Sequence, residues 1–97
     1  MKNTAFSFYN QNSAKNAPLL TINGVRFYFS YETVVAVAFD GNCFVIENLW
    51  SNTTGKHLNW IDGGDKKNRL TKAMFDINVG LAMEFAKIKE LPTVSIN

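Results

Sequence analysis

The chain has one cysteine, Cys43, and one histidine, His57, in 97 residues. A lone thiol cannot close an internal disulfide, and one Cys with one His falls short of the four ligands of a structural zinc site. No metal and no cofactor is expected, and a reducing cytoplasm suits the composition. Long apolar runs are missing too. Met1-Lys2-Asn3-Thr4-Ala5-Phe6 lacks the stretch of about 7 to 15 apolar residues that a signal peptide needs, and no run approaches the ~18 of a membrane span. The expectation is a soluble, unsecreted, cytoplasmic protein with no membrane partner, so the formal glycosylation acceptor Asn52-Thr53-Thr54 carries no weight. Charge is sparse, at 19% of residues and a net +2. That total does not signal nucleic acid by itself. A Gly-x-x-x-x-Gly-Lys-Ser/Thr phosphate loop is absent, as are internal repeats and low-complexity tracts.

What the chain does have is apolar bulk: 46% hydrophobic and 13% aromatic residues, eight of them Phe. A single domain over residues 1–97 can build a core from such rings without staples. Residues 4–9 alternate small or polar with aromatic, the pattern of a strand with Phe6 and Phe8 on one face. An Asn-rich loop, 10–17, follows. Leu19 to Ile22 and Val25 to Tyr31 flank Asn23-Gly24, the dipeptide that most readily takes the positive φ angles of a two-residue hairpin turn. Val25, Phe27 and Phe29 should face the core, opposite Arg26, Tyr28 and Ser30. Val34 to Phe39 and Cys43 to Glu47 flank a second tight turn at Asp40-Gly41-Asn42. Because Val34 to Phe39 is apolar on both faces, it is placed centrally in the sheet, covered on both sides or on one side plus an oligomer contact.

After Trp50 the period changes. Ser51 or Thr53 caps a short helix to about Ile61, with Gly63 as terminator. Asp65 then reads as the cap of a long helix over roughly 66–89, loosened near Val79-Gly80. Its inward stripe is Leu70, Met74, Ile77, Leu81, Phe85 and Ile88, and Pro92 marks the end. Segregated elements of this kind predict an α+β fold, an antiparallel meander of four to five strands packed by a short and a long C-terminal helix.

Two constellations carry chemistry. Lys66, Lys67 and Arg69 at the start of the second helix oppose its dipole, an arrangement that welcomes an anion; the competing reading is a solvated face in which Asp65 caps and pairs with Arg69 at i+4. Trp50, His57 and Trp60 with Lys56 interleave rings and cations, as single-strand nucleic-acid binders do. Against this, Trp50 also suits a core anchor at the strand-to-helix crossover, and Ser51, Thr53 and Thr54 suit helix capping. A nucleophile set drawn from Ser51, Thr53, Thr54 or Cys43 with His57 and Asp62 or Asp65 has the right residue types without specific spacing. Asp40, Glu47, Asp62 and Asp65 form no linked carboxylate motif.

At Ser30-Tyr31-Glu32-Thr33-Val34-Val35-Ala36 and at Asn48 to Asn59 the chain resembles short uncharacterised proteins of tailed bacteriophages. The shared features are a Ser-Tyr-x-Thr strand start and a Trp-Ser-x-Thr-Thr-x-x-His element. The resemblance implies a phage protein acting in a bacterial cytoplasm and singles out Tyr31, Thr33, Trp50, Ser51, Thr53, Thr54, Lys56 and His57. The leading expectation is a small non-enzymatic binding protein that engages a host protein or nucleic acid through the 50–60 crossover and the basic helix start. One alternative is a hydrolase or transferase on a phosphorylated substrate, with His57 as acid or base. Another is a structural or oligomeric phage component that pairs through an edge strand.

Overall fold

The computed structural model describes residues 6–94. Five strands run as an antiparallel meander in sheet order β1-β2-β3-β4-β5: β1 Phe6–Asn10, β2 Pro18–Ile22, β3 Val25–Ser30, β4 Thr33–Phe39 and β5 Asn42–Val45. Two helices follow, α1 Asn52–Asp62 and α2 Lys72–Ala86. The class is α+β, as expected. Of the strand expected over 4–9, residues 4 and 5 lie outside the described residues.

Turn chemistry sets the meander. Asn23 and Gly24 have φ of 51° and 84°, and Asp40 and Gly41 have 54° and 77°. Both pairs are two-residue turns with positive φ at each central position, the form whose twist matches a hairpin. Asn42 therefore belongs to β5, opposite Phe39, and not to the turn.

Cross-strand partners share a face of the sheet, which assigns the two sides. Leu20, Phe27, Val37 and Phe44 form one row, and Arg26, Ala38 and Cys43 belong to the other side. Helix α2 covers the first side, with the Phe85 ring 5.0 Å from that of Phe39. Helix α1 covers part of the second, where Ser30 meets Thr54 and His57. Strand β4 thus lies between two helices, and every residue from Val34 to Phe39 is buried. The same cover explains Ser30: it lies on the face opposite Phe27 and Phe29, as expected, yet is buried. Between Tyr28 and Phe29 the β3–β4 register slips by one, so that Val35 has no partner on β3. A bulge of this kind bends the strand and increases its twist.

The second helix departs from expectation at both ends and in its orientation. Residues 66–68 form only a 3-10 turn, and Leu70 is held in a parallel bridge beside Ile46. Its N–H donates to Val45 O, and its carbonyl accepts from Glu47 N, both at 2.8 Å. Those bonds place Leu70 against the sheet and delay the helix until Thr71, whose hydroxyl accepts from Met74 N. At the other end Lys87 turns left-handed, and Ile88 N returns to Met83 O.

The face toward the sheet is Phe75, Val79, Ala82 and Ala86, while Met74, Ile77, Leu81 and Phe85 are 51, 60, 44 and 51% exposed. Of the expected stripe, Met74, Ile77 and Leu81 therefore point outward and Phe85 lies at the margin beside Phe39, while Leu70 and Ile88 pack against the core. The sheet already supplies Phe27, Phe29 and Phe39 to this layer, so small residues on the helix let it approach. Gly80 continues the helix without a break, and a Cβ there would meet nothing within 4 Å. Gly80→Ala is expected to stabilise the fold by about 0.5–1 kcal/mol through helix propensity, measured by urea unfolding.

A candidate anion-binding cleft beside α1

Helix α1 begins where Ser51 Oγ accepts from Thr54 N at 3.3 Å. Asn48 braces this start from outside: its Nδ2 donates to Ser51 O at 3.0 Å, and its Oδ1 accepts from Trp50 N at 2.9 Å. Gly55 makes room for it, because a Cβ at that position would stand 3.0 Å from Asn48 Nδ2. The helix ends at Gly63, left-handed at φ 68°, with its N–H on Asn59 O. Ser51 is thus the cap that was expected. Thr54 instead turns inward, and Asp65 makes no side-chain cap but accepts from Asn68 Nδ2 at 2.7 Å. Thr53 lies half-buried in the first turn without a cap bond of its own.

Beyond the helix the chain folds back, and Arg69 ties it down. Its Nε donates to Asp62 Oδ2 at 2.7 Å, and its Nη2 donates to Asp62 Oδ1 and Asn59 Oδ1, both at 2.9 Å. The anticipated Asp65–Arg69 pair is replaced by this one because Arg69 is extended, at φ −75° and ψ 144°, and no i,i+4 helical geometry exists there. The Arg69 guanidinium and the Gly64 N–H hold the Asp62 carboxyl below its ordinary range, against the opposing effect of burial. Asp62 in turn raises Arg69.

Between α1 and the returning segment lies an open cleft of about 500 Å³. Asn52, Gly55, Lys56 and Asn59 line it from one face of α1, as their i, i+3, i+4, i+7 spacing requires. Lys66 and Arg69 form the opposite wall, and Glu47 and Asn48 complete it. The guanidinium charge is matched by Asp62, whereas among the described residues neither Lys56 nor Lys66 forms an ion pair. Two unmatched ammonium groups therefore face a space edged by three carboxamides and one carboxylate. Such a site can hold an anion by charge and orient its polar neighbours by amide hydrogen bonds.

The remaining residues singled out in the sequence lie elsewhere. Lys67 is exposed but does not line the cleft. Trp60, 36% exposed, sits one turn after Lys56 on the flank of α1. Trp50 is 47% exposed, not a core anchor, and lines a separate apolar depression with Val34, Ile46 and Phe75.

His57 is 1% exposed. Its Nδ1 lies 2.7 Å from Ser30 Oγ, which lies 2.9 Å from Thr54 Oγ1, and its ring stands 5.8 Å from Tyr31 and 5.2 Å from Trp60. This chain of polar groups fastens α1 to the end of β3, with each bond contributing about 1 kcal/mol. Burial first, and the Lys56 charge second, push the imidazole below its ordinary value of 6.5. The unfolded chain therefore takes up the proton first. The contribution of neutral His57 is complete above 6.5 and is lost as pH falls from there through the lower folded value. The melting temperature should drop over that window, and His57→Gln should flatten the dependence.

Sequence reasoning missed Ser30, Glu47 and the asparagines of the cleft. Asn52 and Asn59 did carry a signal, since they recur at the helical spacing of Lys56.

The fold and site define a small α+β domain, a five-stranded meander between two helices, with a cationic, amide-lined cleft beside the shorter helix. The chain belongs to a family of unknown function, DUF8033, whose profile matches residues 1–77 and so takes in all five strands, α1 and both walls of the cleft. No curated protein and no solved structure matches it. No helix among the described residues is long and apolar enough to cross a membrane.

Proposed function

We propose that this is a small non-enzymatic binding protein of phage type, and that its cleft takes a phosphate-bearing strand, a single-stranded nucleic acid. The observation that carries the reading is the convergence of Lys56 and Lys66, ten residues apart and from different segments, on one cleft without acidic partners of their own. Ammonium groups track phosphates, the Asn52 carboxamide and the Asn59 amide N–H meet base edges and sugar hydroxyls, and Trp60 on the flank offers a stacking surface. The phage origin rests on the Ser-Tyr-x-Thr and Trp-Ser-x-Thr-Thr-x-x-His resemblance. Binding is favoured over catalysis because His57 commits Nδ1 to Ser30 in the interior, on a different side of α1 from Lys66.

Fluorescence anisotropy with labelled single- and double-stranded oligonucleotides tests the reading. Binding of the single strand should weaken steeply as salt is raised, because released counterions supply the affinity. Undetectable or salt-insensitive binding would overturn the nucleic-acid reading. In that event, capture of an acidic host protein from bacterial lysate by wild type but not by Lys56→Ala/Lys66→Ala would assign the same cleft to a protein partner.

A further inference from the structure

A second, smaller cavity opens on the other side of the start of α1. It measures about 200 Å³ and is lined by Ser30, Tyr31, Thr33, Val35, Trp50 and Thr54. Tyr31 and Trp50, 44% and 47% exposed, are its aromatic walls, and among the described residues no ring contact joins them across it. Ser30 and Thr54, each 3% exposed, bring hydroxyls to it from the interior. We infer that this slot takes one base of the strand bound in the cleft, stacked against the rings of Tyr31 and Trp50; the inference rests on the nucleic-acid reading of the cleft.

The backbone holds one wall against strain. Tyr31 and Glu32 form the two-residue turn between the paired residues Ser30 and Thr33. Tyr31 has φ 57° there, a conformation that glycine takes freely and a bulky residue rarely adopts. Its N–H donates to Asn16 O at 2.7 Å, and its ring lies 5.8 Å from that of His57. The fold thus fixes a half-exposed ring where a residue without one would sit unstrained, and strain of this kind gathers at ligand sites.

The lining selects the occupant. Among the described residues it carries no charged side chain, so a phosphate or carboxylate has no counterion there. An aliphatic group would leave the hydroxyls facing it unpaired. Ser30 Oγ is engaged by His57 Nδ1 and Thr54 Oγ1, whereas Thr54 Oγ1, with one donor and two acceptor positions, keeps capacity beyond its bond to Ser30. Two rings and a spare hydroxyl suit a flat, neutral ring with a hydrogen-bonding edge, which is the chemistry of a nucleobase. Position links slot and cleft. Trp50 stands two residues from both Asn48 and Asn52, which line the cleft, and its N–H donates to Asn48 Oδ1 at 2.9 Å. A strand leaving Lys56 and Lys66 reaches the slot across the start of α1, where the first-turn N–H groups and the helix dipole favour a phosphate.

The test is anisotropy of a labelled single-stranded oligonucleotide at about 50 and 200 mM salt, with circular dichroism to confirm the fold of each variant. Tyr31→Gly keeps the left-handed turn and removes the ring, and it should raise the dissociation constant about fivefold or more, the worth of one stacked base. Tyr31→Phe should bind as wild type does. The Tyr31→Gly factor should be the same at both salt concentrations, because a ring releases no counterions, whereas loss of Lys56 or Lys66 shallows the salt dependence. Trp50→Leu, at an exposed position, should act in the same way and serves if Tyr31→Gly fails to fold. A single abasic site moved along the oligonucleotide should locate one position where losing the base weakens wild type but not Tyr31→Gly. Full affinity in both Tyr31→Gly and Trp50→Leu would overturn the inference and leave the cleft reading standing, as would abasic losses equal in wild type and Tyr31→Gly at every position. A wild type that binds no oligonucleotide would overturn both.

Discussion

Replacing Lys56 and Lys66 together with alanine is expected to weaken binding of a single-stranded oligonucleotide about 60-fold at 50 mM salt and about tenfold at 200 mM. The figures follow from counterion release, in which each phosphate contact to a single strand contributes a factor that scales as salt to roughly the −0.7 power. One such contact is worth about eightfold at 50 mM and about threefold at 200 mM, and two contacts multiply. The slope of log affinity against log salt should shallow by about 1.4 in the double variant and about 0.7 in either single one. Lys67→Ala, which changes net charge equally but lies off the cleft, should do much less. Glu47→Gln should act in the opposite sense, because it removes a negative charge from the cleft without removing bulk. A loss for Lys67→Ala equal to that for Lys56→Ala would reduce the effect to net charge and remove the cleft from the account.

Much of this architecture is legible in the residues, and where it is not, the reason is physical. Asn23-Gly24 and Asp40-Gly41 announce their turns because few other dipeptides tolerate two consecutive positive φ angles. Ser51 and Gly63 bound α1 through cap chemistry local to each end. The doubly apolar run Val34 to Phe39 signals cover on both faces, and α1 and α2 supply it. Helix α2 misleads because two apolar stripes interleave one or two residues apart, 74/77/81/85 and 75/79/82/86, and periodicity is satisfied by either. The choice belongs to the sheet, whose Phe27, Phe29 and Phe39 leave room for alanines. Its start is equally hidden: Leu70 continues the helical period in sequence but is captured by Val45 and Glu47, more than twenty residues away.

The cleft was half legible for the same reason. Lys56 and Lys66 were visible as cations, and their convergence depends on the fold-back that Arg69 secures. Asparagines read as turn formers in a sequence, so their alignment beside Lys56 emerges only once α1 has an orientation. Ser30 and His57 are 27 residues apart, and only the tertiary fold brings them together.

Arg69→Ala is expected to cost about 2–3 kcal/mol of stability and to lower oligonucleotide affinity as well, although the Arg69 charge is already spent on Asp62. The side chains of Arg69 and Asp62 are 4% and 13% exposed. Removing one partner of such a pair leaves the other desolvated and uncompensated, which costs more than the pair contributes against an apolar replacement. In Arg69→Ala, Asp62 retains the Gly64 N–H and loses both guanidinium bonds. The wall that carries Lys66 then loses its tie to α1, so affinity should fall with Lys66 still present. Asp62→Ala should cost a similar amount, and Asp62→Ala/Arg69→Ala less than the sum of the single losses; a double-mutant cycle by urea unfolding reads this coupling directly. Acid provides an independent check. The Asp62 carboxyl is held below its ordinary value of 3.8, so its contribution is complete above that pH and is lost as pH falls through the lower folded value. Asp62→Asn should remove this limb of the acid transition. Additive single costs, or an unchanged acid limb in Asp62→Asn, would place the pair among exposed bridges of little consequence and leave the cleft wall without its fastening.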